Sequence, residues 1–278
     1  MKYCFLILLI ATAFSGCNLF DSKSLTTESG IANEGLELYF QEFYNLAENG
    51  GYYEGVNPVL YLVMSTKEKM PCMNYKIDYK ADFTPSNSKT REIRLVGTSL
   101  PGFVCLTAIG PAVSEISYEK APPKTELVIK DGDYADRFKV ETTEDYVHIK
   151  TVQAVFTELI DNRFYLKPEN SFYFRCGGTL NSMTDLCTDF DSLLKQELSI
   201  TEFQFPDDGV IPYPEFSQGN QYNHPSKFYT YNSEEEFEKA GLLLEQFTEE
   251  RIGTTEGNSL SIVNWRNQGY RSWVFQNN

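Results

Sequence analysis

Residues 73–83 alternate without a fault. Met73, Tyr75, Ile77, Tyr79, Ala81 and Phe83 fall on one set of positions, and Asn74, Lys76, Asp78, Lys80 and Asp82 fall on the other. A period of two separates the faces of a strand, whereas a helix would scatter these apolar side chains around its whole circumference. A chain with so long a run must build a sheet with one wet face and one buried face. The theme continues downstream. Strands are expected over 91–96, over 100–109 (nearly all apolar, hence buried), and briefly over 115–118. Residues 126–130 and 134–141 flank Asp131-Gly132-Asp133, a strong hairpin signal, and 146–152 closes the series. Short strands separated by turn residues predict an antiparallel, immunoglobulin-like sandwich over 57–155.

The rhythm changes near residue 155. Strands are predicted at 171–176, 198–205, 227–231, 259–265 and 270–275, with helices from 182 to about 196 and from 233 to about 252. Ser182 with Asp185, and Ser233 with Glu236, have the spacing of capping boxes. The order β-α-β-β-α-β-β reads as helices on one face of a mostly antiparallel sheet. Ahead of the sandwich, Leu36, Tyr39, Phe40, Phe43, Leu46 and Ala47 have helical spacing, and Asn49-Gly50-Gly51 is a stop. This predicts an N-terminal helix within 34–56 that packs on its own body. The expected fold is therefore mainly β with α+β: an immunoglobulin-like β-sandwich module followed by an α+β sandwich module over 156–278.

Charge narrows the partners. The 278 residues carry 24 Lys+Arg against 39 Asp+Glu, a net charge of −15. Nucleic acid is excluded as a partner, because phosphate binding needs clustered cations. The same balance disfavours docking on anionic lipid heads. With 41% hydrophobic residues the composition is globular.

The N-terminus carries a different kind of information. Lys2 precedes an apolar stretch from Phe5 to Phe14, followed by Ser15-Gly16-Cys17. The stretch is half of what a membrane-spanning helix needs, so it reads as a secretory signal. The junction Phe14-Ser15-Gly16-Cys17 resembles the lipobox of bacterial lipoproteins, with Phe14 where leucine is commonest. The resemblance covers residues 1–17 only. It implies removal of a signal peptide of residues 1–16 and acylation of Cys17, which makes the lipid bilayer a partner. Residues 17–33, polar and rich in Ser and Thr, then form a lipid-linked tether. By resemblance to enterobacterial sorting, Asn18 favours the outer membrane.

Of six cysteines, Cys4 leaves with the signal and Cys17 takes lipid, which leaves Cys72, Cys105, Cys176 and Cys187. An even number in an oxidising compartment implies disulfides, and four cysteines allow three connectivities. The local pairing Cys72–Cys105 and Cys176–Cys187 is favoured, the first bridging two strands and the second stapling a strand end to a helix start. The spacings do not suit zinc, so no metal and no cofactor are implied.

Signatures of chemistry are sparse. There is no nucleophile elbow, phosphate loop, dinucleotide fingerprint or metalloprotease helix, and the two histidines, His148 and His224, limit any triad. His148 should lie on the wet face of its strand. Asp131-Gly132-Asp133 reads as a turn rather than a calcium site. Trp265 and Trp273, with Tyr270, read as core rather than a glycan strip. No catalytic residue is assigned. The one stretch with a claim to function is 206–225, aperiodic and rich in proline, carrying Asp207, Asp208, Tyr213, Glu215, Tyr222 and His224. Carboxylates near aromatics there suit ligand binding. The expected role is a non-catalytic binding or structural module of an envelope lipoprotein, with a protein or glycan partner. Two alternatives stand beside it: a carboxylate-dependent glycan hydrolase using acids of this loop, and a carrier of an apolar ligand.

Overall fold

The computed structural model describes residues 29–43, 57–82, 89–102, 105, 108–118, 122–179, 184–216, 222–252 and 258–275. The expected signal segment, Cys17 and the expected tether up to residue 28 lie outside the described residues; residues 29–33, also expected in the tether, belong instead to the folded body, with Ile31 buried in its core. The chain is mainly β, with several sheets and few helices. A short helix α1 (Ile31–Glu34) leads into β1 (Leu36–Phe43), β2 (Val59–Met70), β3 (Lys76–Asp82), β4 (Thr90–Ser99), β5 (Gly110–Ser117), β6 (Lys124–Asp131), β7 (Tyr134–Thr142), β8 (Tyr146–Gln153), β9 (Thr157–Leu159) and β10 (Arg163–Tyr165). Then follow β11 (Ser171–Gly178), α2 (Thr184–Glu197), β12 (Thr201–Phe203), β13 (Tyr222–Asn223), β14 (Lys227–Thr230), α3 (Glu234–Phe247), β15 (Asn258–Asn264), β16 (Gly269–Arg271) and α4 (Ser272–Phe275).

The first ten strands make two sheets, ordered β5-β2-β1-β9 and β10-β8-β7-β6-β4-β3. Their apolar faces share one core, in which Leu36, Leu38, Leu62 and Met64 of the first sheet meet Ile93, Leu127, Phe138 and Val147 of the second. The pairing is not wholly antiparallel: β1 with β9 and β4 with β6 run parallel. Two buried carboxylates fix the connections. Asp136 accepts the amides of Val155 (2.6 Å), Phe156 (3.1 Å) and Thr157 (2.7 Å), which steers the chain into β9. Asp131, at the 131–133 turn, accepts those of Ser29 (2.6 Å) and Ala32 (2.8 Å) and so anchors α1.

The third sheet, ordered β12-β14-β11-β15-β16, carries α2 and α3 on one face. Phe190, Leu194, Phe237 and Leu244 of the helices pack there against Phe172, Phe174, Leu260 and Ile262. On its other face lies an aromatic cluster of Tyr173, Phe203, Phe205, Tyr213 and Phe228.

Several expectations are corrected. The N-terminal element is a strand, not a helix: Leu36, Leu38 and Phe40 point inward, and all eight residues of β1 pair antiparallel with β2. Its apolar spacing fits both periods, and the cross-strand ladder decides between them. Residues 44–56 lie outside the described residues. The strand β2, inside its sheet between β5 and β1, has no counterpart among the expected elements. Residues 100–109 form no strand where described, and Ile109 is 70% exposed. Pro101-Gly102 breaks the ladder, and the strand begins only at Gly110. Cys72 is bonded to Cys105, but the bond joins two connections rather than two strands. The strand predicted over 198–205 shrinks to β12. Ser233 makes no side-chain cap; Glu236 instead accepts the amides of Asn232 (2.8 Å) and Ser199 (2.5 Å). The helix that follows ends at Phe247 and widens into a π-helical turn, Thr248–Ile252.

Candidate functional site

The loop after β12 begins by crossing to the first body. Val210 forms a parallel bridge to Phe164, donating its amide to the Arg163 carbonyl (2.9 Å) and accepting from the Tyr165 amide (2.9 Å). Asp208 takes the Arg163 guanidinium at 2.5 Å and the Tyr165 hydroxyl. That hydroxyl bond, with the cation beside it, holds the Asp208 carboxyl below the usual carboxylate range. Gly209 rests on Arg163 so closely that a Cβ would lie 2.9 Å from its carbonyl oxygen. Tyr213 then turns inward, buried, stacked on Phe228 at 5.8 Å with its hydroxyl 2.8 Å from that of Ser171.

Farther on, the Glu215 carbonyl accepts from the Ser226 amide (2.7 Å), and Phe216 bridges to Pro225. Tyr222 and Asn223 pair with the end of β11, and the His224 amide donates to the Cys176 carbonyl (3.1 Å). Between the two limbs of the loop and the edge of the third sheet lies an open cleft of about 420 Å³. Asp207, Glu215, Glu202 and Lys227 supply its charge; Phe205 and Phe216 supply apolar surface. A smaller neighbouring cleft of about 250 Å³ contains His224 beside the Cys176–Cys187 disulfide. The six residues singled out in the sequence therefore divide. Asp207 and Glu215 share the larger cleft and His224 lines the smaller. Asp208 and Tyr213 are structural, and Tyr222 is an exposed member of β13.

Sequence reasoning missed the network behind this cleft. Asp191 of α2, buried, accepts Lys227 Nζ at 2.6 Å, Lys195 Nζ at 3.2 Å and the Tyr229 hydroxyl. Lys195 also reaches Glu202 at 2.7 Å. Burial pushes the Asp191 carboxyl up, but the hydrogen bonds from Lys227, Tyr229 and Lys195 outweigh it and hold the group below its ordinary value. Burial, reinforced by the bond to Asp191, drives the Tyr229 phenol far above its ordinary value. The readable signal was small: Asp191 and Lys195 are four apart on a helix, and Lys227 and Tyr229 share a strand face. The network fixes the position of Lys227, which both clefts share.

This chain matches no known protein family, no curated protein and no solved structure. The cleft is therefore read on its chemistry alone. Carboxylates accept hydroxyls, an ammonium donates, and exposed Phe216 offers a ring face. Among the described residues no group of three or more His, Cys, Asp or Glu is gathered as metal ligands.

Proposed function

We propose that this protein is a lipid-anchored lipoprotein of a bacterial envelope that acts as a non-catalytic binding or structural module, presented on a tether that starts at Cys17 and ends where Asp131 holds Ser29 and Ala32. The observation that carries the non-catalytic reading is the use made of the 206–225 loop. Asp208 is bound by Arg163 and Tyr165, and Tyr213 is core, so the loop serves first as a brace between the parts of the protein. The open cleft it leaves is suited to holding a protein or glycan segment. Two disulfides support an oxidising compartment and hence export. The shared core of the first two sheets supports an immunoglobulin-like sandwich leading into an α+β module.

Two experiments test this. Cys17→Ala is expected to abolish incorporation of radioactive palmitate and to release the protein from membranes; unchanged labelling refutes the anchor. The intact protein, incubated with envelope glycans, is expected to generate no new reducing ends. Hydrolysis that disappears in Asp207→Asn or Glu215→Gln would install the glycan-hydrolase reading instead.

A further inference from the structure

The outer face of the β6-β7-β8 sheet is unusual for so acidic a chain. Register places Glu126, Lys139 and Lys150 in one row across the three strands, and Lys124, Glu141 and His148 in the next. Partners directly opposite on one face have Cβ atoms about 4.5–5.5 Å apart, and like charges so placed destabilise the sheet. Lys139 and Lys150 are such a pair, and both are exposed.

The nearby acids are each bonded to another cation and not to these lysines. Glu126 is bound by Arg137 at 3.0 Å and Glu141 pairs with Lys124 at 3.6 Å. On the same face Glu92 takes both Lys130 at 2.7 Å and Arg94 at 2.9 Å. Hydrogen bonds from Lys130 and then Arg94 hold its carboxyl below its ordinary value. Although acids outnumber bases by 15 in the chain, neither of these adjacent lysines makes a salt bridge to a described carboxylate, even though Glu126 stands opposite Lys139 in the register. Around them lies a shallow depression of about 600 Å³ that also takes in Glu126, Glu141, His148 and Val152, the last 54% exposed.

The inventory selects the occupant. Two ammonium groups that bridge to no described carboxylate call for an anionic group on the ligand. Two carboxylates and an imidazole at the rim suit hydroxyls, and an exposed valine suits the apolar face of a ring. The same carboxylates would repel a continuous negative surface such as a bilayer or nucleic acid. We propose that this face binds an acidic saccharide, with Lys139 and Lys150 holding its carboxylate or phosphate and with Glu126 and Glu141 accepting its hydroxyls. The inference rests on the reading of the protein as a binding module and gives it a second site, lined by residues other than those of the loop cleft, with a stated ligand class.

The test is calorimetric titration of the whole mature chain with tri-galacturonate, its neutral galactose counterpart, a hexose phosphate and inorganic phosphate. The two acidic sugars are expected to bind and to separate the uronate from the phosphate source, while the neutral trisaccharide is silent. Lys139→Gln with Lys150→Gln is expected to weaken binding about tenfold or more, as loss of charged hydrogen bonds does. The same charge removed at the exposed Lys69 and Lys76 should change nothing. Undiminished binding in the Lys139/Lys150 variant, binding of the neutral sugar as tight as that of the acidic ones, or inorganic phosphate as tight as the sugar phosphate overturns the proposal. So does lysine-dependent binding to phosphatidylglycerol vesicles without saccharide binding. Failure here leaves the Cys17 anchor untouched, and failure of the anchor leaves saccharide binding measurable.

Discussion

At Gly241 of α3 a Cβ would sit 2.5–2.6 Å from the Tyr270 ring, which packs on Phe237 at 5.6 Å. In a helix interior Gly→Ala ordinarily stabilises by about 1 kcal/mol. Here Gly241→Ala is expected to destabilise by about 1–3 kcal/mol, the usual cost of overpacking, as read from urea midpoints. Combining it with Tyr270→Ala should return the helical gain, so the double-mutant cycle separates the clash from the backbone effect. Asp191 makes a prediction in pH. Its folded carboxyl lies below the ordinary value, so on acidification the unfolded chain takes up the proton first. The stability it contributes is thus present above the ordinary carboxylate value and is lost as pH falls through the folded one. Asp191→Asn is expected to lower stability at neutral pH and to flatten the fall of stability below about pH 4, measured by denaturation across that range. A slope equal to wild type would show that the network carries no linkage.

Among the elements, the 206–225 loop has the clearest dual character. Its early limb is bound to β10 through Asp208, Gly209 and Val210, but the Asp208 side chain is 57% exposed, so its ion pair with Arg163 contributes little to global stability. Asp208→Ala is therefore expected to speed hydrogen exchange at the amides of Val210 and Tyr165 while shifting Tm by only a degree or two, that is, by about 1 kcal/mol or less. Protection unchanged at both amides would dismiss the brace. That the acids of this loop cluster was legible in the sequence; what they do was not, since Arg163 and Tyr165 lie 45 and 43 residues away from Asp208. The same limit acted on β1. Leu36, Phe40 and Phe43 satisfy helical spacing, and only the ladder to β2, across a connection outside the described residues, makes Leu36–Phe43 a strand. Elements whose signals are local came through well. The hairpin around Asp131-Gly132-Asp133, the helix at 184–197 and the pairing of β15 with β16 need only nearby residues to be specified, although the strand expected over 270–275 gives way to α4 after Arg271. The strand β2, whose partners β1 and β5 flank it on both sides, offers a long apolar run without alternation, a pattern that does not by itself distinguish strand from helix.

At the scale of the whole molecule, the described residues form two cores, and the question is whether they melt together. Besides the bonds from Asp208 and Val210 to β10, further contacts join them. Tyr165 of the first body meets Phe205 of the second at 5.6 Å. Val210 packs against the first core while Tyr213, three residues on, lies in the aromatic cluster of the third sheet. Finally, Lys167, in the connection before β11, pairs with Glu42 of β1 at 3.6 Å, both side chains only 7% exposed. Burial raises the Glu42 carboxyl and lowers the Lys167 amine against their mutual attraction, so the pair sits under desolvation strain and tolerates no loss of one member. Removing one partner of a buried pair typically costs about 3–5 kcal/mol, whereas replacing both by apolar groups is often neutral. Lys167→Met alone is therefore expected to destabilise strongly, and Glu42→Leu with Lys167→Met to recover most of the loss. If these contacts couple the cores, the wild type gives one calorimetric transition whose calorimetric and van't Hoff enthalpies agree. Phe205→Ala with Val210→Ala, which removes the apolar part of the junction while leaving both cores packed, should split that transition in two. A variant that still melts in one step would mean that the cores communicate by another route, and two transitions already present in the wild type would mean that the loop ties together bodies that are energetically independent.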